Sequence, residues 1–216
     1  MSTLFMLLLC SVGVLADTGR IYKNARRLII EVHQRTSECF HAGTDCNITT
    51  SVGFTDSTGV LRYAIRNPTQ RGNLWMCFEK GILDLFAHEV PDADFKKAEQ
   101  ACADFATSSS GFDSIAYDNC FNVNLVHYET NPSCISIGAD WKPADTSVIL
   151  YITLSDGSVQ RRKITFKPLQ SCSVDWVKGG SGHFLCHGEG LRTRQASKYL
   201  PRTNKLEVGN TYVCPK

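Results

Sequence analysis

Residues 1–16, MSTLFMLLLCSVGVLA, carry no charged side chain, and their apolar run extends from Leu4 to Val14. A membrane-crossing helix needs roughly 20 apolar residues, so the run is too short to span. Val14-Leu15-Ala16 places small or compact residues where a signal peptidase cuts. The pattern predicts a secretory signal peptide over 1–16, cleaved before Asp17. This constrains the fold more than any other feature. A chain that matures in an oxidising lumen pairs its cysteines, and pairing demands that distant backbone segments meet.

Beyond Cys10 in the signal stand nine cysteines: Cys39, Cys46, Cys77, Cys102, Cys120, Cys134, Cys172, Cys186 and Cys214. Their density is well below that of disulfide mini-scaffolds. The expectation is therefore a hydrophobic core with staples added, each bridge contributing ~2–4 kcal/mol. The odd count leaves one thiol unpaired or available for a disulfide-linked homodimer. Residues 17–216 are long enough to bury a core, and no Pro/Gly linker or repeat divides them, so a single secreted β-rich domain is expected. A net charge of +2 gives no bulk attraction to nucleic acid.

Most segments alternate with period two. Leu28, Ile30 and Val32 oppose Glu31 and His33; Ile48, Thr50, Val52 and Phe54 oppose Asn47, Thr49 and Ser51. Leu61, Tyr63 and Ile65 alternate with Arg62, Ala64 and Arg66; Phe121, Val123 and Leu125 alternate with Asn122 and Asn124. Such alternation marks antiparallel sheets with one wet face. One segment reads as helix: Phe95, Ala98, Cys102 and Phe105 form a stripe, Pro91-Asp92 supplies a start, and Ser108-Ser109-Ser110-Gly111 an end. Cys102 on that stripe would tie the helix to a sheet. Asp156-Gly157 joins two strands within 147–167. A two-residue turn would set Ile164 and Phe166 opposite Ile149 and Ser147. A three-residue loop with Gly157 in a left-handed bulge puts them on the face of Val148, Leu150, Ile152 and Leu154, and burial favours that register. The fold class expected is mostly β: an antiparallel β-sandwich or barrel with one packed helix, disulfide-stabilised.

Asn47-Ile48-Thr49 is a glycosylation sequon, whereas the proline of Asn131-Pro132-Ser133 disqualifies it. Arg161-Arg162-Lys163 is the densest basic cluster. On a strand Arg161 and Lys163 share a face, as do Arg62 and Arg66. These four are the candidate binding residues, for an acidic glycan or an extracellular protein; edge-strand protection is the competing role. His183 and His187 have a spacing that would suit a metal on a helix, but flanking glycines argue for a strand. Four strand residues span roughly 13 Å, too far for two ligands on one zinc. No metal and no cofactor is therefore expected. Ser181 lacks the Gly-x-Ser-x-Gly context of a hydrolase elbow.

The stretches LIIEVHQRTSEC, CFNVNLVHYET and CSVDWVKGGSGHFLC, with a closing Cys214, run in an order loosely similar to the poxvirus family of secreted chemokine-binding β-sandwich proteins. The resemblance implies a secreted immunomodulator that sequesters chemokines or cytokines. Members tend to present acidic surfaces, whereas this chain is mildly basic, and no site residue is carried over.

The function expected is that of a secreted, N-glycosylated, non-catalytic binding protein engaging an extracellular protein or acidic glycan. A secreted hydrolase assembled only by the fold is the alternative, with His88, Glu89, His183 and His187 as the first residues to inspect.

Overall fold

The computed structural model describes residues 25–70, 78–131, 140–167, 171–173, 176–178, 182–187, 206–210 and 212. The signal segment, Cys77, Cys134, Cys214 and Ser181 lie outside the described residues.

The order is β1 (Ala25–Thr36), β2 (Ile48–Thr55), β3 (Leu61–Arg66), β4 (Leu83–Glu89), α1 (Asp92–Ala106), the two-residue strands β5 (Thr107–Ser108) and β6 (Gly111–Phe112), α2 (Ser114–Cys120), β7 (Leu125–Thr130), β8 (Pro143–Leu154), β9 (Val159–Phe166) and β10 (Gly182–Cys186). Two four-stranded antiparallel sheets, β4-β1-β8-β9 and β10-β7-β2-β3, form a β-sandwich. Leu28, Ile30 and Val32 of β1, with Val148, Leu150 and Ile152 of β8, face Val52, Tyr63, Ile65, Val126 and Tyr128 of the other sheet. Burying one such side chain contributes about 1.5–3 kcal/mol, which makes this shared interior the main support of the fold.

The 147–167 hairpin adopts the three-residue register. Val148 pairs with Ile164 and Thr146 with Phe166, Leu154 N–H donates to the Ser158 carbonyl, and Gly157 has φ +82°. Phe166 is fully buried as a result.

Four expectations need correction. Phe121–Asn124 is not strand: it follows a second helix, α2, and strand begins only at Leu125. Asp113 caps that helix, its carboxylate accepting from Ile115 N at 2.9 Å and Ala116 N at 3.0 Å. Helix α1 ends at Ala106, ahead of the Ser108–Gly111 stretch expected to end it, and β5 and β6 make a small hairpin there. Cys102 does not tie the helix to a sheet but bonds Cys120, clamping α1 to α2. Finally, β2 has no wet face, for every residue from Ile48 to Thr55 is buried. Part of its second side is closed by a smaller cluster of Leu61, Leu125, Phe184 and Tyr212, held by Leu61 N–H on the Asn210 carbonyl and Tyr212 N–H on the Gly59 carbonyl.

Cys39 bonds Cys172 across 133 positions, and Cys46 and Cys186 are disulfide-bonded too. All described cysteines are thus oxidised. Between the sheets, Gln34 Oε1 accepts the Tyr128 hydroxyl at 2.8 Å, and Trp141 Nε1 donates to Thr36 Oγ1 at 3.0 Å. These bonds give the buried polar groups partners while crossing the core. Among the described residues no helix is long and apolar enough to cross a membrane.

Candidate functional site

The outer face of the β4-β1-β8-β9 sheet is laid out by its register. Ala87, Glu31, Ile149 and Lys163 stand in one cross-strand row; Glu89, Ile29, Tyr151 and Arg161 stand in the next. Arg161 and Lys163 are exposed. Residues two apart on a strand project from the same face about 7 Å apart, so the pair presents two adjacent cations. Neither makes an ion pair with a described residue. Ile149, in the row of Lys163 and Glu31, is 1% exposed; the aliphatic stems of long charged neighbours are suited to cover it.

Glu31 is the negative member of this face. Its contact with His33 Nε2 holds its carboxyl below the usual range; partial burial opposes this, and the Tyr151 hydroxyl and Arg161 charge reinforce it. Arg27, at one end of β1, is engaged by Glu89. Arg162 points to the opposite face, where its guanidinium donates to Asn122 Oδ1.

Arg62 and Arg66 are not brought to Arg161 and Lys163. They stand on β3, in the other sheet, and both are paired. Arg62 Nε donates to Asp56 Oδ2 at 2.8 Å, and its guanidinium lies 5.4 Å from the Phe105 ring centre. Burial pushes the Asp56 carboxyl up, but bonds from Thr58, Arg62 and Val60 N–H outweigh it and leave the group below its usual value. Arg66 Nη2 lies 3.2 Å from Glu129 Oε2. These partners neutralise the β3 arginines and leave Arg161 and Lys163 as the cationic pair.

Asn47 is half-buried directly ahead of β2. The sequon hydroxyl, Thr49 Oγ1, is buried against Thr69 Oγ1 at 2.7 Å. Transfer of a glycan to Asn47 would therefore have to precede closure of this strand.

The histidines singled out in the sequence do not gather. His183 lies within β10 and His187 just beyond it, the latter 5.8 Å from the Phe166 ring. Among the described residues no group of three or more His, Cys, Asp or Glu converges. His88 projects to the inner side of β4, opposite Ile30, while Glu89 projects outward to Arg27. His88 does line a shallow, open depression of about 530 Å³, with Arg66, Asn67, Pro68, Thr69, Glu89, Pro91 and Asp94. Asn67 at this wall was missed in the sequence reading, and its only signal was an Asn-Pro step directly after a strand.

No family model matches this chain, and no curated protein matches it. Among solved structures, a LOX variant in complex with arachidonate is similar at a TM-score of 0.42 and 20% identity over 75% of this chain and 17% of that one. A coral 8R-lipoxygenase described for calcium activation through a C2-like domain is similar at 0.40 and 20% identity, over 74% of this chain and 17% of that one. Alpha toxin from Clostridium absonum is similar at 0.40 and 15% identity, over 76% of this chain and 32% of the toxin. The chain thus spans less than a third of each of these proteins, and likeness at this level carries no argument for its function.

Proposed function

We propose that this chain is a secreted, non-catalytic binding protein that holds an acidic glycan against the outer face of the β4-β1-β8-β9 sheet. One observation carries the reading: Arg161 and Lys163 stand side by side, exposed and without an ion-pair partner among the described residues. A linear polyanion meets such a pair without first breaking a salt bridge, which Arg62 and Arg66 would each require. The oxidised cysteines support maturation in a secretory compartment.

Retention on a heparin column tests the glycan reading. Arg161→Ala/Lys163→Ala is expected to elute at clearly lower salt than wild type, while Arg66→Gln shifts elution little because Glu129 already occupies that guanidinium. Elution of the double variant at the wild-type salt overturns the reading.

A further inference from the structure

The two edges of the β4-β1-β8-β9 sheet are built differently. One edge strand, β9, carries Arg161, Arg162 and Lys163 in succession, and such charges discourage pairing with another chain. The other, β4, reads LDLFAHE over Leu83–Glu89, with no lysine, arginine or proline. The direction of its backbone groups follows from the bonds at its two ends. Val90 N–H donates to the Leu28 carbonyl and Thr36 N–H to the Ile82 carbonyl, each at 2.9 Å. Successive residues of an antiparallel strand turn their N–H and C=O to alternate sides, so Asp84, Phe86 and His88 bond β1. Leu83, Leu85, Ala87 and Glu89 therefore turn theirs outward, where no described strand pairs with them. The Glu89 carbonyl takes one bond, from the His88 ring beside it at 3.0 Å, and a carbonyl oxygen accepts two. The side chains of these four stand on the solvent face, with Leu83 46% and Leu85 61% exposed.

This strand complements itself. Laid antiparallel against a second copy, about a two-fold axis at Phe86, Leu83 falls opposite Glu89 of that copy and Leu85 opposite its Ala87. All 7 residues overlap, and every outward-facing residue meets another. A slip of one residue would set outward-facing groups against groups already bonded to β1, and a slip of two leaves the ends unmatched. The matched register exchanges about eight N–H···O bonds, two at each facing pair, and packs Leu85 of each copy against Ala87 of the other. Charge agrees with it. Arg35 stands beside Leu83 on β1, exposed and without an ion-pair partner among the described residues. Glu89 of the second copy lies two strands from it, about 10 Å across the sheet, a gap that arginine and glutamate side chains close by reaching over Leu83.

We propose that the β4 edge joins two copies of this chain into a two-fold dimer, merging their four-stranded sheets into one, with Leu83, Leu85, Ala87 and Glu89 of each copy forming the seam. The choice of a second copy over a foreign strand rests on the full-length match and on the carboxylate it brings to each Arg35. The seam lies on the edge opposite Arg161 and Lys163, so dimerisation and heparin retention are read separately.

Sedimentation equilibrium of the purified protein, disulfides intact, tests the proposal. A reversible monomer–dimer equilibrium is expected. Ala87→Pro removes an outward N–H without breaking a bond to β1, a position where an edge strand tolerates proline. It should weaken association by about tenfold or more, as should Leu85→Lys, which brings two like charges beside the axis. Val159→Lys, on the opposite edge, should leave association unchanged. Amide hydrogen exchange reads the register in wild-type protein alone. The amides of Leu85, Ala87 and Glu89 should slow as protein concentration rises, while those of Asp84, Phe86 and His88 exchange as in the monomer. A protein that stays monomeric up to about 1 mM, association unchanged in folded Ala87→Pro, or exchange at the outward amides independent of concentration each overturns the proposal. A dimer that survives SDS and is released only by reductant is disulfide-linked, which overturns the strand seam as its cause.

Discussion

Replacing Gly53 by alanine probes the contact that sets the position of β3, and with it the wall of the depression. Gly53 stands in β2 opposite Ala64 of β3 and Leu125 of β7. A Cβ built there lies 2.5 Å from the Tyr63 carbonyl oxygen, 3.1 Å from Leu61 Cδ1 and 3.4 Å from Ala64 Cα. Carbon and carbonyl oxygen in strand contacts sit about 3.3 Å apart or more, so β3 would have to withdraw by about 0.8 Å. The obstacle is backbone, which has no rotamer to escape into. Overpacking costs about 1–3 kcal/mol, and an immovable neighbour places this case near 3. For a domain of this size about 3 kcal/mol lowers the melting temperature by about 6–12 °C. Thermal melts by circular dichroism, with the disulfides intact, measure it. Gly157→Ala is the control: nothing lies within 4 Å of its Cβ, and only its φ of +82° resists substitution. It should cost about 1–2 kcal/mol, and Gly157→Asn less, since asparagine tolerates that backbone region. A Gly53→Ala protein melting within about a degree of wild type would refute the close approach of β2 and β3 and the strand spacing argued from it.

High pH should unfold the protein through two core tyrosines. Burial, with the charges of Glu99 and Asp118 adding to it, pushes the Tyr117 hydroxyl from 10.0 up to about 12. Burial pushes Tyr128 up as well, against the Thr146 hydrogen bond. Above pH 10 the unfolded chain loses these protons while the folded one keeps them, so stability falls as pH rises, with Tyr117 contributing on the order of 1–2 kcal/mol of that loss between pH 10 and 12. Absorbance at 295 nm should show these tyrosines titrating together with the loss of β-sheet signal, and Tyr117→Phe should move that loss to higher pH. Titration at the ordinary tyrosine pKa without unfolding would contradict their burial. The Cys39–Cys172 bridge closes 133 positions, for which chain entropy gives about 5 kcal/mol. A Cys39→Ala/Cys172→Ala protein should therefore lose much of its stability to urea, and an unchanged midpoint would show that other links already hold those ends together. The Cys102–Cys120 link closes 18 positions and should contribute about 3 kcal/mol, plus the packing of two buried sulfurs.

The sandwich was legible because its signal is local. Period-two alternation marked β1, β3 and the 147–167 hairpin, and burial arithmetic chose the hairpin register, since a slip of one residue would have turned Phe166 outward. Where the reading failed, tertiary contacts overrode the local pattern. Phe121 and Val123 alternate with asparagines as a strand would, yet both pack into the core from the turn after α2. Tyr117, Cys120 and Phe121 recur at spacings of three and four, and Asp113 is a cap, so a helical alternative was written there too. The burial of both faces of β2 had no local signal. It depends on Leu61, Leu125, Phe184 and Tyr212 arriving from four separate segments.

The candidate surface was legible only in half, and for a physical reason. Spacing along a strand states which cations share a face, so Arg161 and Lys163 could be paired from residue numbers alone. It says nothing about which cations keep their charge. Arg62 and Arg66 have the same relation to each other as to a reader of the sequence, but Asp56 lies on the preceding turn and Glu129 two strands away. Arg62 therefore spends two of its donors on Asp56, and Arg66 has its charge countered by Glu129. The same reasoning separates the depression from the exposed face. His88 and Glu89 are adjacent in sequence and project to opposite sides of β4. Arg161 and Lys163, without an ion-pair partner among the described residues, and the β3 arginines, countered by Asp56 and Glu129, thus stand on different sheets of one sandwich.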